Sequence, residues 1–257
     1  MYFFALCLFA ITSLHSLFSG SPNIPAVPAE GFITTNKSWM DGRAGYVRDM
    51  IFNTGMKSVD RLQGSFDKFS YLISEGSISL NFFHTFGVFA NLGSIEFDIA
   101  NRPVPGEEKE YFTKRNFTWG LGGRLIIFNY GKATLGLNGQ YQAAEANFST
   151  LATNGVPLDS TGNSMIKWNT WQIVASLSYN VDFFYPYISV KFSSSAGRFL
   201  HLPNGFLPGT DRFKAENSTK YGIITGVTFS TDRLFQFTIE LRMIDEDSIA
   251  FASEIRF

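Results

Sequence analysis

Six charged side chains fall on the polar face of segments in which apolar and polar residues alternate. Four of them form two pairs spaced two residues apart, so both members of a pair share one face of a strand. The six are Arg124, Lys191, Glu240, Arg242, Glu254 and Arg256. Charges that face a water-filled interior could select ions by sign, as rings of charged side chains do in channels. The alternative is that they fill a narrow interior and neutralise one another in ion pairs.

Other residue types that carry catalysis or bind metals are few and scattered. The chain has three histidines, His15, His84 and His201, and no spacing of His, Cys, Asp or Glu typical of a metal site. A hydrolase needs a nucleophile with a positioned base, and His201 is the one candidate base in a long polar connection. We therefore expect no enzymatic activity, metal or cofactor. The formal charge of −1 gives no basis for nucleic-acid binding.

The charged residues lie in segments with the two-residue period of β-strands. From Phe235 to Met243, large apolar residues occupy every second position and polar or charged residues lie between them. Ten segments follow this pattern: 42–53, 76–83, 86–99, 117–128, 133–142, 170–179, 185–193, 220–231, 235–243 and 249–257. In the third of these, the apolar phase shifts near Gly93, for which a β-bulge is the expected cause.

The connections between these segments alternate in length, except for the last hairpin, around 244–248. Short turns are expected near 83–86, 129–132, 181–185 and 231–234, and long polar loops at about 54–75, 100–115, 148–167 and 199–219. Short turns at one end and long loops at the other are typical of outer-membrane barrels. Six aromatic residues are expected near strand ends, where they would form an interfacial girdle: Trp119, Tyr141, Trp171, Tyr179, Tyr221 and Phe257.

These patterns predict an all-β fold, an antiparallel transmembrane up-and-down β-barrel of about ten strands, with twelve or more left open. The mean hydropathy of +0.02 is compatible with such a barrel, because alternation between lipid and lumen averages out. A soluble β-sandwich would also alternate, but it would not need aromatic residues at its strand ends. Lipid offers no hydrogen bonds to a sheet edge, so a sheet in the membrane must close.

The N-terminal segment differs in composition from the rest. The apolar run "FFALCLFAITSLHSLF", followed by small residues, predicts a secretory signal over residues 1–20 and leaves 21–257 as the barrel. A buried helix or an N-terminal anchor is the alternative. The single cysteine, Cys7, lies inside this run, so no disulfide is expected in the mature chain.

Several stretches resemble the major outer membrane porins of chlamydiae and their relatives. They are "RAGYVRDMIFN", "SISLNFFHTFGVFANLG", "YGKATLGLNGQYQ", "TWQIVASLSYNVDFFYPYISVKFS" and "RMIDEDSIAFASEIRF", in this order along the chain. Pro25 to Pro28 are similar to the family's Pro-rich mature start. The terminal Phe257 resembles the signature that the barrel assembly machinery reads. Family members are typically longer and many are rich in cysteine, whereas this chain has no cysteine after Cys7.

The resemblance implies a porin of the bacterial outer membrane that lets small hydrophilic solutes and ions diffuse through a polar lumen. The expected partners are outer-membrane lipid, the barrel assembly machinery, and small solutes and ions, and a homo-oligomer is left open. The alternative is a non-conducting structural or adhesin-type barrel that acts through its extracellular loops, above all those at about 148–167 and 199–219.

Overall fold

The computed structural model describes residues 39–59, 65–83, 85–158, 161–207, 209–231 and 234–257. The predicted signal peptide, residues 1–20, lies outside these residues, as does His84. The described strands are β1 (Met40–Thr54), β2 (Met56–Ser58), β3 (Ser65–Phe82), β4 (Phe86–Val104), β5 (Glu107–Thr113), β6 (Asn116–Tyr130), β7 (Ala133–Thr153), β8 (Val156–Pro157), β9 (Met165–Tyr179), β10 (Phe184–Leu200), β11 (Phe213–Asn217), β12 (Tyr221–Thr231), β13 (Phe235–Met243) and β14 (Glu246–Arg256). Within the same ranges, no helix is long and apolar enough to span a membrane.

Ten of these strands form a closed ring in chain order. β1, β3, β4, β6, β7, β9, β10, β12, β13 and β14 each pair antiparallel with the next, and β14 returns to β1. In the closing pair, Met50 lies opposite Ile249 and Arg43 lies opposite Arg256. The predicted ten-stranded antiparallel barrel is therefore confirmed. Closure gives the first and last strands the hydrogen-bond partners that lipid cannot supply.

Short turns join the strands at one end of the ring, as predicted. β6 and β7 meet at the pair Tyr130 and Ala133, with Gly131 in the left-handed region at a φ of 59°. The last residue lies at this end as well, where the Phe257 amide donates to the Gly42 carbonyl at 3.0 Å. Because short turns mark the periplasmic rim of outer-membrane barrels, we take this end as periplasmic.

In the periplasmic half of the ring, apolar side chains face outward and polar side chains face the lumen. On β13, for example, Thr238 and Glu240 are buried inside the barrel, whereas Leu241 is exposed on its outer wall. The residue types follow from the surroundings, since the outer wall contacts hydrocarbon and the inner wall contacts water or other polar groups.

In the extracellular half this arrangement reverses, although the strands continue without a break. On β3, Phe69, Tyr71 and Ile73 are buried inside the barrel, whereas Ile78 and Leu80 are exposed outside. The apolar residues thus move from the outer face to the inner face as the strand leaves the membrane. This is the polarity of a water-soluble protein, with an apolar interior and a polar surface.

The predicted β-bulge at Gly93 is wrong. β4 pairs continuously with β3 and with β6 through this position, where Gly93 lies opposite Glu75 on one side and Thr118 on the other. The apolar phase shifts there because the polarity of the wall reverses. Gly93 is a glycine for a steric reason, since a Cβ would collide with the Ser74 carbonyl oxygen and the backbone of Glu75.

Eight strand segments close a second ring at the extracellular end, which we call the collar. Its order is β2, β3, β4, β5, β7, β9, β10 and β11, with β11 returning to β2. The expectation of long loops at 54–75, 100–115, 148–167 and 199–219 is wrong for much of those ranges, which contain β2, β5, β8, β11 and the extended ends of β3, β4, β7, β9 and β10. Their polar composition belongs to the outer face of the collar, while their apolar residues point inward.

An aromatic belt surrounds part of the barrel where the polarity reverses. Trp119 packs on Tyr141 with ring centroids 5.7 Å apart, and Phe192 contacts both Trp171, at 5.3 Å, and Tyr221, at 5.1 Å. The girdle was expected near strand ends, and Trp119 and Tyr221 do lie near the extracellular ends of β6 and β12. Tyr141 and Trp171 instead lie within β7 and β9, because those two strands continue into the collar. Tyr179 and Phe257 lie at the periplasmic end and are exposed. The two levels mark the two faces of the membrane.

Candidate functional site

The barrel interior contains all six charged residues that the sequence singles out. Arg124, Lys191, Glu240, Arg242, Glu254 and Arg256 are each buried, with at most 9% of their surface exposed. They project inward from β6, β10, β13 and β14 because each occupies the polar phase of its strand. Five of them belong to two groups at different heights in the lumen, which we call the mouth cluster and the central cluster, and Arg124 belongs to neither group.

The mouth cluster lies near the periplasmic end and consists of Asp41, Arg43, Glu254 and Arg256. Arg43 forms ion pairs of 2.9 Å with both Asp41 and Glu254. Arg256 pairs with Asp41 at 2.9 Å. On the neighbouring wall, Arg124 donates to the Ser79 hydroxyl at 3.0 Å. These contacts tie β1 to β14 across the closing seam of the barrel.

The central cluster lies higher in the lumen and consists of Asp49, Lys191, Glu240, Arg242, Asp245 and Glu246. Arg242 contacts Asp49 at 2.5 Å, Glu240 at 2.7 Å and Glu246 at 3.3 Å. Lys191 contacts Asp245 and Glu246, both at 2.7 Å. The Tyr187 hydroxyl donates to Glu240 at 2.6 Å. The two cations therefore bridge carboxylates from β1, β13 and the β13–β14 turn.

The adjacent strands β13 and β14 each carry one of the charged pairs that the sequence singles out, but these two pairs do not contact each other. The register places Glu240 opposite Ala250 and Gln236 opposite Glu254, so the two pairs lie at different heights. The tight turn between Met243 and Glu246 sets this register. The charges of β14 instead pair with β1, and those of β13 pair with each other, with β1 and with the turn.

Several members of these clusters were missed by sequence reasoning. Asp41, Arg43 and Asp49 share the inward phase of β1, a signal that was readable in the alternation of that segment. Asp245 and Glu246 lie in the polar break "DED", which indicates a turn but not that its acids fold over the lumen. Glu75 is also inside, where it accepts hydrogen bonds of 3.0 Å from Asn91 and Gln142.

The central cluster leaves little free space in the lumen. The cavity there has a volume of about 40 Å³, and its walls include Glu75, Gln142, Gln172, Lys191 and Arg242. A buried water needs roughly 10–15 Å³ of such volume, so the cavity holds a few waters.

An apolar core closes the lumen above this cavity. Tyr71 and Trp168 form its floor, with ring centroids 5.2 Å apart. Higher in the collar, Phe199 stacks on Phe213 at 4.2 Å and contacts Tyr111 at 5.1 Å. Burial raises the pKa of the Tyr111 phenol far above its ordinary value, because these neighbours exclude water. The collar is thus filled in the way expected of an eight-stranded barrel.

The one described histidine lies on the surface of the collar. His201 is exposed in the connection between β10 and β11, and its backbone carbonyl accepts a hydrogen bond of 2.7 Å from the Ser164 hydroxyl. Over the described ranges, no group of three or more His, Cys, Asp and Glu residues is arranged to hold a metal ion.

Sequence comparisons point to one group of proteins. No protein-family model matches the chain. It is 24% identical over 274 residues to a major outer membrane porin of Chlamydia pneumoniae, covering 72% of this chain and 70% of the relative. The serovar L1 major outer membrane porin of Chlamydia trachomatis is 24% identical over 244 residues, covering 70% of this chain and 62% of the relative.

Solved structures that resemble the fold include two outer-membrane proteins. The outer membrane protease OmpT of Escherichia coli has a TM-score of 0.40 at 11% identity, covering 84% of this chain and 93% of the other. An outer membrane channel of Pseudomonas putida F1 has a TM-score of 0.41 at 8% identity, and the match covers 90% of this chain and 100% of the channel. With the closed ten-stranded ring, the lipid-facing wall and the chlamydial sequence matches together, the chain is an outer-membrane β-barrel protein and a distant relative of the chlamydial major outer membrane porins.

Proposed function

We propose that the protein is a closed, structural barrel of the outer membrane that does not conduct solutes. The observation that carries this proposal is the apolar core of the collar, which crosses the extracellular end of the lumen. Phe69, Phe97, Phe199 and Tyr111 are each at most 1% exposed there. Moving an unpaired ion into such surroundings costs on the order of tens of kcal/mol in the idealised limit.

The charged lumen below the collar is consistent with the same proposal. Each cation of the mouth and central clusters has a carboxylate within 3.0 Å. A selectivity filter needs charges that remain available to a passing ion. Five of the six predicted lumen residues, all except Arg124, would therefore hold the barrel wall together in this proposal, and would not select ions.

A passive porin is the second candidate, and two observations favour it. The relatives are named porins, and the lower lumen is polar throughout β9 and β13, where Ser176, Ser178 and Thr238 face inward. Diffusion of small solutes and ions would then require both the collar core and the paired side chains of the central cluster to move aside.

Thiol labelling on intact cells distinguishes the two functions. In a Cys7→Ser background, Gln172→Cys places a thiol at the cavity, and Ser149→Cys places one on the exposed outer face of the collar. With a charged, membrane-impermeant thiol reagent added outside, a closed barrel labels only Ser149→Cys. An open porin labels both positions. Labelling of both variants after unfolding in urea controls for thiol reactivity.

A further inference from the structure

The outer wall of β7, β9 and β10 carries three distinct rows of side chains above the lipid-facing surface. The lowest row is aromatic, with Tyr141 directly opposite Trp171. The next row is small, with Ala143 opposite Asn169 and Asn169 opposite Ala196. The third row is charged: Glu145, Lys167, Arg198 and Lys214 lie opposite one another in turn across β7, β9, β10 and β11.

The small middle row creates an open groove between the aromatic and charged rows. The groove has a volume of about 570 Å³ and is bordered by Phe117, Trp119 and Tyr141 on one side and by Lys167 and Arg198 on the other. It therefore combines an apolar wall at the level of the membrane surface with a cationic rim directly above it. This combination fits a molecule that has both a hydrocarbon chain and an anionic group.

The charges on the rim leave one cation available. Lys167 pairs with Glu145 at 2.7 Å, and Lys214 pairs with Glu216 at 2.5 Å. Arg198 lies between the two lysines and has no acidic partner among the described residues. Three cations and two carboxylates leave a formal charge of +1 on this surface. A guanidinium is the side chain best suited to bind a phosphate with two parallel hydrogen bonds.

The height of the rim matches the phosphate level of a leaflet. From Tyr141 to Glu145 the strand rises about 13 Å, or about 10 Å along the membrane normal at a typical tilt. Long cationic side chains extend several ångströms toward a membrane interface. The guanidinium of Arg198 and the ammonium of Lys167 can therefore reach a headgroup layer that is about 5–8 Å thick per leaflet.

We propose that this groove binds a phosphate-bearing lipid of the outer leaflet. An acyl chain would lie against Trp119 and Tyr141, and a lipid phosphate would accept hydrogen bonds from Arg198 and Lys167. This site lies on the outer wall and is independent of whether the lumen conducts.

Native mass spectrometry of the full chain, refolded in detergent without lipopolysaccharide, tests the proposal with diphosphoryl lipid A as the probe. The variant that removes the rim is Arg198→Gln with Lys167→Gln. The matched control is Lys68→Gln with Arg102→Gln, which removes two exposed cations from β3 and β4, away from the groove. A heat-modifiability gel confirms that each variant is folded.

The parent protein and the control should retain lipid A, and the rim variant should bind it about tenfold more weakly or worse, as expected for the loss of charge-assisted hydrogen bonds. A dephosphorylated lipid A should bind as weakly to the parent as lipid A does to the rim variant. Equal binding to the parent and the rim variant would overturn the proposal, as would equal binding of the dephosphorylated lipid. Displacement of lipid A by millimolar inorganic phosphate would also overturn it, because the site would then be one for free phosphate.

Discussion

Replacing Arg242 with methionine tests whether the lumen charges form a dry, paired network. Arg242 lies at the centre of the central cluster, within 3.3 Å of three carboxylates. After its removal, Glu246 keeps Lys191 and Glu240 keeps the Tyr187 hydroxyl. Asp49 keeps no hydrogen-bond partner among the described residues.

The expected loss of folding free energy in Arg242→Met follows from the buried Asp49 carboxylate, which is left without a partner. Removing one partner of a buried ion pair typically destabilises a protein by about 3–5 kcal/mol. Adding Asp49→Asn should recover about 1–3 kcal/mol, because the neutral amide has no buried charge left to compensate. The control is Lys68→Met, which breaks an exposed ion pair with Asp98 and should cost less than about 1 kcal/mol.

Urea unfolding in phospholipid vesicles, followed by tryptophan fluorescence, measures these differences as shifts in the unfolding midpoint. The reasoning is refuted if Arg242→Met is no more destabilising than Lys68→Met. In that case water would already solvate the carboxylates, and the lumen would be wet and open at this height.

Three further predictions concern the collar, the wall and the C-terminus. Phe199→Ala should destabilise the barrel by about 3–5 kcal/mol in the same urea assay, since the ring is fully buried; a cost below 1 kcal/mol would mean that the collar core is loosely packed. Gly93→Ala should abolish the folded band in a heat-modifiability gel, whereas Gly139→Ala should not, because a Cβ at Gly139 meets nothing within 4 Å. Phe257→Ser should reduce the amount of protein assembled into the outer membrane of cells while changing the stability of refolded protein by less than about 1 kcal/mol; unchanged assembly would remove the role of this residue as an assembly signal.

Much of the membrane-embedded wall could be predicted from the sequence because lipid imposes a strict alternation. Each of the ten predicted segments lies within or overlaps one strand of the ring, and the inward phase of Glu240 and Arg242 follows directly from their apolar neighbours. The same logic extends to Asp49 on β1, where the alternation is weaker.

The collar could not be predicted, because its apolar residues face inward, whereas those of the membrane-embedded wall face outward. In β3, the residues from Phe69 to Ile73 have the same two-residue period as those from Ile78 to Leu80, but the apolar set faces inward. Near Gly93 the apolar residues change from the outer face to the inner face, and in the sequence this change gives the same shift of phase as a β-bulge. The partners in each ion pair could not be predicted from the sequence either, since they depend on the register across each turn. A shift of two residues at the β13–β14 turn would have brought a different set of charges together.

The most direct test of the closed barrel is single-channel recording in planar bilayers with protein extracted from outer membranes and shown to be folded by heat modifiability. We predict no discrete conductance steps from the parent protein, because the apolar core of the collar crosses the lumen and the charges of the central cluster are paired around a cavity of about 40 Å³. Regular, reproducible steps from folded protein would contradict this account and would identify the protein as a conducting porin.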